Sequence, residues 1–284
     1  MTDLSQDPAN FCYRHPDRQS FILCQRCGRT ICTQCQTPAA VGVHCPECVR
    51  EQQARFTETR RTVGPSGLTV ARRRFAMVDQ KATVVIVAVS VIVWLLQQVT
   101  APLGAPVTRA LDFAPSLLAT QPWRLITTMF VHGSILHILF NMYAVWIFGR
   151  MLEGMLGTWR FVALYFLSGL FGSVAVAVLA PQTSVIGASG AIFGLFAAFF
   201  VIQRSLGGNA VQLLVIMGLN LAIGFILPNV AWQAHVGGII GGFLTGYVLT
   251  MTRNVRRRNL QIGLLVAEAV LGIVAAYVAY SIAF

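Results

Sequence analysis

The chain has 284 residues, of which 56% are hydrophobic and only 11% are charged, and its formal net charge is +11. Soluble domains usually carry about 25% charged residues, so this composition excludes an ordinary soluble protein. The positive charge would suit a nucleic-acid-binding protein, but the arginines cluster beside apolar segments, as they do in the loops of membrane proteins. We therefore expect an integral membrane protein with no nucleic-acid partner.

The first 50 residues are polar and contain all seven cysteines of the chain. Four pairs of potential metal ligands are each separated by two residues: Cys12 and His15, Cys24 and Cys27, Cys32 and Cys35, and Cys45 and Cys48. These eight ligands are enough for two tetrahedral zinc ions. An odd number of cysteines does not suit a framework of disulfides alone. The sequence therefore predicts a module, residues 1–50, that holds two structural zinc ions.

The spacing of these pairs resembles that of B-box zinc fingers. The resemblance implies that the first and third pairs bind one zinc ion and that the second and fourth pairs bind the other. The last pair departs from the family, because Cys45 and Cys48 stand where histidines are usual, and His44 is an alternative ligand to Cys45. A module of this kind implies a cytoplasmic protein partner, although zinc that only folds the module is the alternative.

Residues 51–81 are predicted to form a basic linker with a Gly-Pro-Ser-Gly break, and we expect it to lie against anionic lipid headgroups. A solvated run of charges is the alternative. The region 82–284 contains apolar stretches close to the roughly 20 residues that cross a bilayer. Seven membrane helices are predicted, at 82–99, 130–151, 161–180, 187–204, 210–227, 232–251 and 261–282. The expected fold class is an all-α membrane bundle with a small N-terminal zinc-binding domain.

Basic residues in the connecting loops predict how this bundle is oriented. The arginines at 72–74, Arg150, Arg160, Arg204 and those at 253–258 all fall on one side, whereas Arg109 and Arg124 fall on the other, in the long loop 100–129. Positively charged loops stay in the cytoplasm. We therefore expect a cytoplasmic N-terminus and an external C-terminus. Because the chain opens without a transit peptide, we expect a bacterial plasma membrane.

In this orientation the second, fourth and sixth helices enter the membrane from the outside, and four polar residues fall at a similar depth. These are His137 and Asn141, Ser189, and His235. At a rise of about 1.5 Å per residue, each lies roughly 5–15 Å below the outer surface. Polar groups inside a membrane are costly and usually functional. The four side chains are therefore predicted to form a site.

The four residues are the parts of an acyl-transfer site. Ser189 would be the nucleophile and His235 the base that takes its proton; helix packing would orient the imidazole, since no aspartate lies in these helices. His137 and Asn141 are four residues apart and share a helix face. With the Ser189 N–H at a helix N-terminus, they would donate hydrogen bonds to an oxyanion.

Five motifs in this order and spacing make residues 82–284 closely resemble the rhomboid intramembrane serine proteases. They are Trp123–Arg124, His132 with His137 and Asn141, Gly149 with Glu153 and Gly157, the Gly-Ala-Ser-Gly at 187–190, and His235 with Gly238 and Gly242. The resemblance implies a six-plus-one helix bundle that cleaves single-pass membrane proteins near the outer face. It also implies the same dyad and oxyanion donors, and no metal or cofactor in the chemistry.

Other functions are also compatible with parts of the sequence. Glycines at 190 and 194 and at 238, 242 and 246 are typical of seams that only hold helices together. An inactive rhomboid-like scaffold is an alternative, although such relatives usually lack the serine or the histidine. A proton-coupled transporter would use His137, His235 and Glu268 as a relay, and Glu268 has no other assigned role. A plain anchor for the zinc module would need only one helix.

Overall fold

The computed structural model describes residues 7–39, 42–61, 80–208, 210–226 and 230–284. The chain divides into two compact units, Met1–Ala76 and Met77–Phe284. Most of the predicted basic linker, including the arginines at 72–74, lies outside the described residues.

The N-terminal unit is built from two small antiparallel sheets and one helix. Strands β1 (Phe11–Cys12) and β2 (His15–Gln19) form the first sheet, and β3 (Thr37–Pro38) and β4 (Val43–His44) form the second. Helix α1 (Pro46–Arg61) follows. Among the described residues of this unit, the buried hydrophobic cluster consists of Ile31 and six of the cysteines. So small an apolar interior cannot stabilise a domain by itself, which is the situation in which a structural metal supplies folding free energy.

In its described part, the second unit consists of helices joined by loops. The helices are α2 (Lys81–Thr100), α3 (Pro106–Leu111), α4 (Arg124–Thr127), α5 (Ile135–Leu156), α6 (Thr158–Leu179), α7 (Ser189–Ser205), α8 (Val211–Ile226), α9 (Trp232–Met251) and α10 (Arg258–Ala283). A π-helical turn at Val145–Gly149 interrupts α5. Among the described residues, five helices are long and apolar enough to cross a membrane: α2, α5, α6, α9 and α10. Helices α7 and α8 are apolar but shorter.

All seven predicted stretches are helical, but two of the helices begin later than predicted. The second begins at Ile135 rather than at residue 130, because the Ser134 hydroxyl accepts the His137 N–H and caps the helix there. The fourth begins at Ser189 rather than at residue 187. Gly187 has a φ of 121°, which is outside helical geometry. The nucleophile candidate is therefore the first residue of its helix.

Helices α6, α7 and α9 pack together at the centre of the bundle, and glycines set how closely they approach. A Cβ atom at Gly238 of α9 would overlap the carbonyl oxygen of Gly190 in α7, and one at Gly242 would overlap the backbone of Gly194. On the adjacent face of α9, a Cβ atom at Gly237 would overlap the carbonyl oxygen of Phe171 in α6. Small residues at such seams let backbones come into direct contact. This packing brings the start of α9 beside the start of α7.

The long loop before α5 is held from within by Arg124, which is only 3% exposed. Its guanidinium donates to the carboxylate and carbonyl oxygens of Asp112, to the carbonyl of Arg109 and to the side-chain oxygen of Gln121. A buried arginine is tolerated where its donors are satisfied in this way. Trp123 is exposed and donates to the Ala110 carbonyl at 3.4 Å. Arg124 therefore cross-links distant parts of this loop to one another.

The same loop also supports the segment that leads into α7. The backbones of Phe113 and Val185 exchange two hydrogen bonds, at 3.0 and 2.9 Å. Thr128 accepts the Gly187 N–H at its carbonyl and donates its hydroxyl to the Val185 carbonyl. The position of Ser189 is therefore fixed from the loop as well as from its own helix.

Candidate active site

Ser189 and His235 lie in hydrogen-bond contact, although 46 residues separate them in the chain. The distance from Ser189 Oγ to His235 Nε2 is 3.0 Å. Ser189 is half-buried at the first position of α7, and His235 lies in the first turn of α9 with 6% of its surface exposed. A hydroxyl and an imidazole at this distance can exchange a proton. The separation is one that a nucleophile and its general base would require.

An aromatic ring orients the histidine. The ring of Phe193 stacks on that of His235 with centroids 4.2 Å apart and an angle of 18° between the planes. His235 Nδ1 bonds to no partner in the described part of the chain. Among the described residues, ring packing rather than a hydrogen bond at Nδ1 therefore orients the imidazole of His235. The sequence analysis expected helix packing to take this role, because no aspartate lies in these helices. The sequence analysis did not single out Phe193, although its position one turn after Ser189 places it on the same helix face.

His137 lies close to the backbone that precedes the nucleophile. A Cβ atom at Gly187 would lie only 2.7 Å from His137 Nε2, so glycine is the residue that leaves room for the ring. The Gly133 N–H donates to His137 Nδ1 at 3.4 Å. With Nδ1 accepting, the neutral ring carries its proton on Nε2 and points a donor toward the start of α7. This donor is suited to an oxyanion that forms beside Ser189.

Asn141 is on the same face of α5 as His137 and is buried, with 6% of its surface exposed. Its Nδ2 donates to the carbonyl oxygen of His137 at 2.8 Å. One hydrogen of the amide is therefore already used within the helix, and only the second can serve another acceptor. The sequence predicted that Asn141 and His137 share a helix face, and they do. It did not indicate that the Asn141 amide would also donate to the His137 carbonyl.

The loop that carries His132 is clamped by Gln97 of α2. Gln97 Nε2 donates to the His132 carbonyl at 3.2 Å, and the His132 N–H donates to Gln97 Oε1 at 3.0 Å. The ring of His132 packs edge-on against that of His137, with centroids 5.1 Å apart. The backbone of His132 is thus held by Gln97, and its ring packs beside that of His137. Gln97 was missed in the sequence analysis; the available signal was the pair of adjacent amides, Gln97 and Gln98, near the end of an otherwise apolar stretch.

Glu153 is engaged away from the serine and the histidines. Its two carboxylate oxygens accept the N–H groups of Ala82 and Thr83, at 2.9 and 2.8 Å, and the hydroxyls of Thr83 and Thr158. A carboxylate at the first turn of α2 satisfies N–H groups that have no partner within the helix. Glu153 therefore ties the start of α2 to the end of α5.

The described residues of the N-terminal unit form two candidate metal centres. One brings together Cys12, His15, Cys32 and Cys35, and the other Cys24, Cys27, Cys45 and Cys48. In each, the four ligand atoms lie within 4.8 Å of one another. His44 belongs to neither of them. These are the two sets that the interleaved arrangement of the pairs predicts.

The distances within these centres suit zinc. Zinc about 2.3 Å from two sulfur atoms in a tetrahedron separates them by about 3.8 Å. Cys27 Sγ and Cys45 Sγ are 3.7 Å apart, and His15 Nδ1 lies 3.4 Å from both Cys32 Sγ and Cys35 Sγ. The residues present therefore fit tetrahedral zinc, with His15 binding through Nδ1.

Comparison with known proteins places these features in a family. Residues 119–252 match the Rhomboid domain model, a range that contains Ser189, His235, His137 and Asn141. The chain is also 36% identical over 140 residues to the putative rhomboid protease YdcA of Bacillus subtilis, and the match covers 47% of this chain and 70% of that protein. The chain belongs to the rhomboid family.

Other rhomboid relatives match a smaller share of their own length. The identity is 38% over 149 residues with RHOMBOID-like protein 6, mitochondrial, of Arabidopsis thaliana, and the match covers 50% of this chain and 48% of the relative. It is 37% over 158 residues with rhomboid protease GluP of Bacillus subtilis, covering 52% and 30%. Together with the apolar helices, membership of this family supports an integral membrane protein, and the two relatives from Bacillus subtilis are named as rhomboid proteases.

Proposed function

We propose that this rhomboid is an endopeptidase that cleaves transmembrane proteins near the outer face of the membrane, with Ser189 as nucleophile and His235 as base. The observation that carries the proposal is the 3.0 Å separation of Ser189 Oγ and His235 Nε2 inside the bundle. The relatives named as proteases support the same chemistry.

In the proposed reaction, His235 Nε2 takes the proton of Ser189 Oγ as that oxygen attacks the carbonyl carbon of the scissile peptide. The resulting oxyanion accepts hydrogen bonds from the Ser189 N–H, from His137 Nε2 and from the remaining amide hydrogen of Asn141. His235 then donates its proton to the leaving amine, and a water molecule hydrolyses the acyl-enzyme by the same route. One oxyanion donor is typically worth about 10²–10³ in rate.

The substrate must present an extended segment to Ser189, because a helix hides its peptide bonds in its own hydrogen bonds. Unwinding is easier near the wet end of a membrane helix, where water can satisfy the freed groups. Ser189 at the first position of its helix suits such a site. We propose the cytoplasmic N-terminus and external C-terminus expected from the loop charges, and a bacterial plasma membrane as the location of the protein.

We further propose that residues 1–50 form a B-box-like module with two structural zinc ions, that 51–81 link it to the membrane, and that 82–284 form the protease domain. Zinc would fold the module by binding the two sets of four ligands. A cytoplasmic protein is the proposed partner of this module, and transmembrane proteins within the lipid bilayer are the proposed substrates of the protease domain.

Labelling of the purified full-length protein with a fluorophosphonate tests the nucleophile, and cleavage of a single-pass reporter in proteoliposomes tests the reaction. We expect both in the wild type and neither in Ser189→Ala or His235→Ala. A wild type that labels no faster than Ser189→Ala, beside an active rhomboid that does label, would contradict the proposal and favour an inactive scaffold.

A further inference from the structure

Glu268 is an acidic residue in the middle of α10, the last membrane helix, and it is 93% buried, since only 7% of its surface is exposed. Its Oε1 accepts the hydroxyl of Thr245 in α9 at 2.8 Å. Its Oε2 bonds to no partner among the described residues. Burying a carboxyl group inside a membrane helix costs free energy, and such residues usually have a function.

The packing of α9 suggests what this hydrogen bond does. Toward α7 and α6, the contact face of α9 is made of glycines whose backbones touch their neighbours directly, including Gly238, Gly242 and Gly237. Such a face allows close approach, but it has few side chains that interlock with a neighbour and resist sliding or rotation. The exact placement of α9 must therefore come from directional contacts.

Two side-chain hydrogen bonds join α9 to neighbouring membrane helices in the described part of the chain. One is between His235 and Ser189 of α7, and the other is between Thr245 and Glu268 of α10. The first is the bond that must be made and broken during the proposed reaction. The second remains to hold α9 in register while His235 moves its proton, together with a contact of α10 to Thr252 just beyond the end of α9.

A second polar contact holds α10 in place near its start. Gln261 accepts from Arg160 of α6 at 2.8 Å and donates to the hydroxyl of Thr252, directly after α9, at 2.7 Å. Gly272 of α10 also packs against Leu170 of α6, so that a Cβ atom there would lie 3.0 Å from the leucine. Helix α10 is thus fixed to α6 independently of α9 and provides a firm support for Thr245.

We infer that Glu268 is a positioning residue: its hydrogen bond to Thr245 ties α9 to the last membrane helix and keeps His235 within reach of Ser189. This inference rests on the proposed function. Ten residues, about 15 Å of helix at 1.5 Å per residue, separate Thr245 from His235. A rigid helix transmits a small rotation or shift at one end to the other, and catalytic geometry tolerates little displacement.

The structure does not support Glu268 as part of a proton relay with the histidines. The described partner of its carboxyl group is Thr245, and that residue lies on the order of 15 Å along α9 from His235. A relay would need bonded groups between the two. The hydrogen bond therefore acts by placing a helix.

The test uses the full-length protein and a fluorophosphonate probe, and it measures the rate constant of labelling separately from the final labelled fraction. Glu268→Leu and Thr245→Val remove the hydrogen bond with little change in volume, whereas Glu268→Gln keeps a partner for Thr245. Val270→Leu is the matched control, because Val270 is on the same helix and is 53% exposed. The double variant Glu268→Leu with Thr245→Val completes a double-mutant cycle, which measures the interaction between the two side chains.

We expect Glu268→Leu and Thr245→Val each to slow labelling about three- to fifteenfold, the range set by hydrogen bonds between membrane helices. The labelled fraction should stay at the wild-type value, the double variant should be no slower than either single one, and Glu268→Gln and Val270→Leu should label within about twofold of the wild type.

A Glu268→Leu rate equal to that of the wild type would overturn the inference. So would a reduced labelled fraction with an unchanged rate constant, since that result indicates a residue needed only for folding. A Glu268→Gln variant as slow as Glu268→Leu would also overturn it, because the acid itself would then be required. A wild type that does not label at all would refute the proposed function, which distinguishes the two failures.

Discussion

Replacing Gln97 by methionine tests how strongly the active-site loop depends on a contact outside the family motifs. Methionine is similar in length and fills the same space, but it has no amide. The change removes three hydrogen bonds: one to Thr108 Oγ1 at 2.9 Å, one to the His132 carbonyl at 3.2 Å and one from the His132 N–H at 3.0 Å.

The expected cost follows from burial. His132 is 1% exposed and Gln97 is 5% exposed, so water cannot replace the lost partners without the loop opening. A buried polar group left without a partner costs about 1–3 kcal/mol. With two backbone groups of His132 affected and some relaxation of the loop, we expect the free energy of unfolding to fall by about 2–4 kcal/mol.

Activity should fall as well, because the loop holds the donor that fixes the ring of His137. The Gly133 N–H donates to His137 Nδ1, and a loosened loop weakens this contact. Complete loss of an oxyanion donor costs about 10²–10³ in rate, so partial misplacement should slow fluorophosphonate labelling about tenfold or more.

The assays are denaturant unfolding in detergent micelles and the rate constant of labelling. The matched control is Gln98→Met, since Gln98 is the next residue in α2 and its side chain is exposed. We expect the control to stay within about 0.5 kcal/mol of the wild type, as surface substitutions usually do. A Gln97→Met protein as stable and as reactive as the Gln98→Met protein would refute the reasoning.

Two further predictions concern the helix seam and the zinc centres. Gly238→Ala should abolish most labelling, because the new Cβ atom overlaps the Gly190 carbonyl oxygen and forces α9 away from α7. The control Gly263→Ala should label normally, because a Cβ atom there meets nothing within 4 Å. Equal labelling rates in the two variants would contradict the claim that glycines set the approach of α9 to α7. Metal analysis of the purified protein should find two zinc ions in His44→Ala and one in Cys45→Ser, and the opposite result would make His44 the ligand.

The positions of the helices and the pairs of metal ligands could be predicted from the sequence, because both depend on residues that are close together in the chain. Apolar stretches of about 20 residues predict membrane helices wherever they occur, and residues four apart share a face in any helix. The placement of His137 beside Asn141 and the pairing of cysteines two residues apart belong to this class. The family assignment also belongs to this class, because each family motif is a short stretch of sequence and the motifs occur in a fixed order along the chain.

Several features of the site depended on which helix faces meet. Phe193 stacks on His235, Gln97 clamps His132, and Glu268 bonds Thr245 across 23 residues of chain. For the contacts of Phe193 and Glu268 the local pattern predicts a helix on both sides, but not the rotation of each helix about its axis or its depth beside a neighbour. For Gln97 the local pattern does not give the path of the loop that carries His132.

The amino-acid sequence by itself therefore determined that the chain forms a bundle of apolar membrane helices and which residues bear the hydroxyl, the imidazoles and the thiols, and it predicted a similar depth for the polar groups. Only the tertiary structure decided that an aromatic ring orients His235, that one amide hydrogen of Asn141 is already engaged, and that Glu268 has a partner. The physical reason is that the glycine seams set the separation of the helices to within the size of a single Cβ atom. At that precision, the packing of all the helices together selects which side chains meet.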